Sequence, residues 1–203
     1  MPVIDGVVLT ERPFAALAHV AAPILVGSNR EDAGAFTYTD GDTPGSFARY
    51  VQRIGQAASQ PQLAALYPVS TMGELGAIVA LSTDLAFACN AALVAAFHAG
   101  PTYAYELDRG IPNGPLAFLH ATHGYDVVLM MSTFAAWGIT PGADDLAVAA
   151  SIQRWWGQVA RGAAPTGWAA TPGYLQLDVR STPGSVWRGG RCTTLAALGL
   201  LGS

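Results

Sequence analysis

Pro23-Ile24-Leu25-Val26-Gly27-Ser28-Asn29-Arg30-Glu31-Asp32 sets a continuous apolar run against a polar, doubly acidic turn. A run from Ala22 to Gly27 with no polar alternation, ended by glycine, predicts a strand buried on both faces, as in a parallel sheet. The polar turn then lies at the strand's C-terminal end, the edge of an open α/β sheet where ligand sites are built. Glu31 and Asp32 are therefore candidates for chemistry, although two acids in this position also suit a helix N-terminus, whose dipole they complement.

Outward from this stretch, residues 3–9 read as a short extended segment with a turn at Asp5-Gly6, and residues 13–19 as a short helix. On the C-terminal side, residues 46–58 and 60–67 read as helices, and Pro68 to Ser70 turn into another. Residues 75–99 are apolar all round, which predicts one or two buried helices containing Cys89. Thr102-Tyr103-Ala104-Tyr105-Glu106-Leu107 alternates at period two and is aromatic, so it reads as a second strand. A loop at residues 110–115 leads to His123-Gly124-Tyr125-Asp126, a histidine on a glycine-marked bend followed by an acid and an apolar run. Residues 144–161 form an amphipathic helix with Trp155 and Trp156 at its buried face and Gly162 as its stop. Residues 174–179 read as a strand, Pro183-Gly184 as a turn, and residues 194–203 as an apolar tail without a clear partner. The expectation is one α/β domain over residues 1–203, with a few mostly parallel strands and packed helices.

Of the 203 residues 12% are charged and 51% hydrophobic, against roughly 25% charged in a typical soluble domain. So little polar surface predicts a piece of something larger, prone to self-association when alone. The net charge is -4 and the ten Lys and Arg residues are scattered, leaving no basic stripe, so nucleic acid is not expected as a partner. Asp84, Asn90, His98, Gly100 and Pro101 interrupt the most apolar region, which argues against the clean run of about 20 residues that a membrane span needs. Met1-Pro2-Val3-Ile4-Asp5-Gly6 has no basic start and apolar signal core, which predicts either a cytoplasmic chain or a true beginning elsewhere. No cofactor is expected, since no phosphate-cradling glycine loop occurs. His120 and His123 could share a helix face, but no third ligand has a convincing spacing, so no metal site is expected.

Histidine titrates near neutrality and can relay a proton between nucleophile and leaving group, provided a carboxylate holds its ring. Strand, acid, helices, strand, histidine is the order of the last two members of a Ser-Asp/Glu-His triad. On these residues the chain resembles, nearly end to end, the C-terminal part of type B carboxylesterases, the family that includes cholinesterases. Residues 23–32 resemble the family's strand and acidic turn, and His123-Gly124-Tyr125-Asp126 its catalytic His-Gly-x-Glu segment. Asp84-Leu85-Ala86-Phe87-Ala88-Cys89 is similar to a family helix, although Asn90 stands where proline is common. Residues 152–165, Trp168, Tyr174-Leu175 and Cys192 continue the pattern.

The resemblance implies the C-terminal portion of an α/β-hydrolase fold. Asp32 falls on the catalytic acid and His123 on the base, with Asp126 at the acidic position just behind. Glu31-Asp32-Ala33 stands where Asp-Glu-Gly is usual, so Glu31 is the alternative acid. Cys89 and Cys192 fall on positions resembling a disulfide of the cholinesterase branch, two free buried cysteines being the alternative. A bond would imply an oxidising, extracytoplasmic setting.

No Gly-x-Ser-x-Gly and no His-Gly-Gly-Gly-like stretch occurs, so the nucleophile half is absent from these residues. Gly190-Arg191-Cys192 fails as an elbow because Thr194 replaces the needed glycine. The expected role is a carboxylic ester hydrolase module acting on a small-molecule ester, inactive alone and completed by a complementary N-terminal half. The alternatives are a noncatalytic esterase-like scaffold or a truncated gene product.

Overall fold

The computed structural model describes residues 3–201. Four strands form one sheet in the order β1 (Ile24–Asn29), β2 (Thr102–Leu107), β3 (Tyr174–Leu177), β4 (Thr182–Gly184). β1, β2 and β3 run parallel, with Ile24 opposite Thr102 and Ala104 opposite Tyr174, while β4 returns antiparallel to β3. The chain is thus a mixed α/β structure with a mostly parallel sheet, as the alternation of strand and helix signals predicts.

β2 is central and all six of its residues are buried. Tyr103, Tyr105 and Leu107 point to one face, where they join Leu175, Leu177 and a helix over Ala143–Ala160. That helix buries Val148, Ile152, Trp155 and Val159, an i, i+4, i+7, i+11 stripe that lies along one side. On the other face runs a helical stretch from Glu74 to Phe97: an α-helix (Glu74–Thr83), a π turn (Asp84–Ala88) and a second α-helix (Cys89–Phe97). Its 24 residues have an apolar window of mean hydropathy 1.8, long and apolar enough to cross a membrane, yet 56% of that window is buried inside the fold. It therefore serves as a core helix here.

β1 departs from its expectation of full burial. Among the described residues it pairs with β2 alone, and Ile24 to Gly27 are half-buried because no described strand pairs with the outer edge. Ile24 N–H donates to Pro101 and Arg30 N–H to Leu107, so the alternate residues Leu25 and Gly27 turn their amides to the open side. Gly27 is required: a Cβ there would run into the Tyr105 ring and backbone.

Three further readings are corrected. Pro183-Gly184 lies within the short strand β4, where an edge position tolerates proline's missing N–H. Residues 3–9 keep the expected turn at Asp5-Gly6 but form no strand; Asp5 Oδ1 accepts the amides of Val7, Val8 and Leu9. The tail has a partner, because Leu195 is fully buried and Leu198, Leu200 and Leu201 pack on a second core of Phe47, Val51, Leu63, Tyr67 and Leu81. Residues 202 and 203, included in that tail, lie outside the described residues. Cys89 and Cys192 are joined in a disulfide that ties the start of the second core helix to a helix over Arg191–Ala197.

Candidate active site

β1 ends at Asn29 and the chain turns at once through Arg30, Glu31 and Asp32 into a short helical turn (Gly34–Thr37). β2 ends beside it, and the loop after β2 returns to present His123. Gly124, with φ +81°, permits the reversal from which a helix over Tyr125–Met131 starts. The two segments meet: His123 Nδ1 lies 2.7 Å from Asp32 Oδ1. Asp32 Oδ2 accepts the Asn29 amide at 2.9 Å, so both carboxylate oxygens are engaged and the side chain has one orientation. A carboxylate at this distance favours a proton on Nδ1 and leaves Nε2 as the free, basic nitrogen. Among the described residues nothing hydrogen-bonds Nε2. Half of the His123 side chain is exposed (52%), against 7% for Asp32.

Burial pushes the Asp32 carboxyl up, opposed by the hydrogen bonds from Asn29 and His123. Glu31 is also raised, again chiefly by burial. Glu31 does not reach the imidazole. Its backbone amide donates to the Ala121 carbonyl (3.1 Å), and its Oε2 accepts the Ala121 amide (3.2 Å), so it clamps the loop two residues before His123. Asp126 does not touch His123 either: Oδ1 accepts from Asn29 Nδ2 (3.2 Å) and Oδ2 from the Tyr105 hydroxyl (2.9 Å). Burial first, and then the neighbouring Asp126, lift the Tyr105 phenol well above its ordinary range, so it remains a donor. His120 and His123 do not share a helix face, since the short helical turn at Ala117–Leu119 ends before His120, which has φ +52°.

Two aromatic rings pack against the imidazole, with centroids 5.4 Å (Phe36) and 5.0 Å (Phe87) away. Behind them lies an open cleft of about 490 Å3, lined mainly by apolar side chains that include Ile54, Leu85 and Leu200. Its polar lining includes Tyr50 and Ser82, hydrogen-bonded at 2.6 Å.

Phe87 belongs to the π turn, whose position is fixed by a buried ion cluster. Asp84 accepts from the Tyr67 hydroxyl (2.7 Å) and Arg188 Nε (2.5 Å), and Arg191 approaches at 3.2 Å. Arg188 also donates to Glu106 at 2.9 Å. Burial opposes the guanidinium charge, but Asp84 and Glu106 together hold its pKa raised. Sequence reasoning missed Arg188, Asn29 and Tyr105. A signal did exist for Arg188: an aspartate inside the most apolar helix demands a buried cation. No family model matches the chain, and no curated protein matches it.

Proposed function

We propose that the chain carries the acid and base of a serine carboxylic ester hydrolase, with Asp32 orienting His123 and His123 Nε2 poised to take a proton from a serine hydroxyl. The 2.7 Å contact between His123 Nδ1 and Asp32, formed across 91 residues of chain, is the observation that carries this reading. In such a triad the histidine relays the proton from nucleophile to leaving group, while the acid fixes the imidazole tautomer and offsets its positive charge. The nucleophile and the oxyanion donors must come from outside these 203 residues, as the sequence resemblance to the C-terminal part of type B carboxylesterases implies. An α/β-hydrolase domain is the corresponding fold proposal, and the cleft behind Phe36 and Phe87 suits an ester with an apolar group. The disulfide fits an oxidising, extracytoplasmic setting.

The test is complementation with the N-terminal half of a type B carboxylesterase, read as hydrolysis of activated short-chain esters. Activity that appears on mixing and is lost with His123→Ala supports the reading. Binding without activity favours the scaffold alternative.

A further inference from the structure

We propose that Asn29 is a positioning residue that couples the acid to the histidine, an inference that rests on the assignment of Asp32 and His123 as acid and base. Asn29 is 1% exposed and acts on both partners at once. Its backbone amide holds Asp32 Oδ2 at 2.9 Å, which leaves Oδ1 free for the imidazole. Its side-chain Nδ2 donates to the Thr122 carbonyl at 2.6 Å, the residue immediately before His123, and to Asp126 Oδ1 at 3.2 Å. One residue therefore sets the separation of two segments that are remote in sequence.

The orientation of the amide follows from its partners. Thr122 O and Asp126 Oδ1 are both acceptors, so only the NH2 group can face them. Among the described residues Asn29 Oδ1 is then buried with no hydrogen-bond partner, while the two donor contacts hold the histidine loop. Tyr105 completes the unit, since its hydroxyl fixes the other oxygen of Asp126 at 2.9 Å and so aims Oδ1 at the Asn29 amide. An aspartate at position 29 would turn a carboxylate toward two acceptors, and an alanine would leave the Thr122 carbonyl without its tether.

The readout is the tautomer of neutral His123 in the 15N-labelled full chain, taken from the Nδ1 and Nε2 shifts on the alkaline plateau where they no longer change with pH. The native chain should hold the proton on Nδ1. Asn29→Ala should lower the ratio of Nδ1–H to Nε2–H by about tenfold, the equivalent of one net hydrogen bond. Tyr67→Phe loosens the Asp84 cluster and should lower the urea midpoint without moving the tautomer. Should Asn29→Ala fail to fold, Tyr105→Phe serves instead and should shift the tautomer in the same direction by a smaller amount. An unchanged tautomer in whichever of these two variants is read, or an equal shift in Tyr67→Phe, overturns the proposal. The measurement needs no esterase turnover, so a chain that fails to complement but shows the tautomer shift loses the hydrolase reading and keeps this one.

Discussion

Replacing Arg188 by methionine removes the cation that Asp84 and Glu106 share and keeps most of the side-chain volume. Asp84 retains Tyr67 and Arg191, whereas Glu106 loses its only ion-pair partner among the described residues. Both carboxyls are buried, with side chains 0% and 8% exposed. Breaking a buried ion pair by removing one partner typically costs about 3–5 kcal/mol. The expected loss is therefore roughly 3–5 kcal/mol, read as a lower urea midpoint with unchanged m-value. A loss under about 1 kcal/mol refutes the view that Arg188 is held by charge compensation. Because Asp84 sits on the turn that carries Phe87, the variant should also loosen the packing of Phe87 on His123, visible as broadened ring resonances.

Reduction is the second perturbation. Cys89 and Cys192 are 103 residues apart, and a loop of that order contributes about 4.7 kcal/mol in the chain-entropy model. The native protein should show no free thiol until it is unfolded and reduced; two free thiols in air-purified native protein contradict this. The third concerns pH. Burial raises the Asp32 carboxyl in the folded state, so the folded chain binds this proton more tightly than the unfolded one. Its contribution is fully present below the unfolded pKa and is lost as pH rises through the higher folded value. Wild-type stability relative to Asp32→Asn should therefore fall across that acidic interval, and a difference independent of pH refutes the direction. Fourth, the unpaired β1 edge should drive self-association. Leu25→Lys should reduce it in sedimentation experiments, while a wild type that stays monomeric at high concentration contradicts the prediction.

How much the sequence disclosed follows from where the signals are local. β1 and β2 announce themselves because buried strands need unbroken or alternating apolar residues, and the helix over Ala143–Ala160 because its apolar stripe repeats at helical spacing. The order of strand, acid, strand and histidine suggests that an acid after β1 meets His123, and only the resemblance to type B carboxylesterases picks Asp32 over Glu31. Periodicity says nothing about contacts across 91 residues. β4 was hidden because three residues containing Pro-Gly carry turn signals, and only the register against β3 makes them a strand. Asn29 reads in the sequence as part of a polar turn, because its role depends on the Thr122 carbonyl, a backbone atom that no residue type advertises. Arg188 lies in a tight turn beside Gly189 and Gly190, itself at φ +52°, where local sequence suggests a solvent-facing cation. Its burial is decided by Asp84 and Glu106 on two other elements.

The central claim is that Asp32, and not Glu31, orients His123 for proton transfer, and complementation with side-by-side variants tests it most directly. With a type B carboxylesterase N-terminal half supplied, ester hydrolysis should appear, and His123→Ala should abolish it. Asp32→Asn should lower kcat by about 10^4-fold, the scale seen when a triad acid is replaced by its amide and the imidazole takes the wrong tautomer. Glu31→Gln should cost far less, because a glutamine oxygen can still accept the Ala121 amide that Glu31 now holds at 3.2 Å. A Glu31→Gln loss equal to or greater than that of Asp32→Asn would contradict the account.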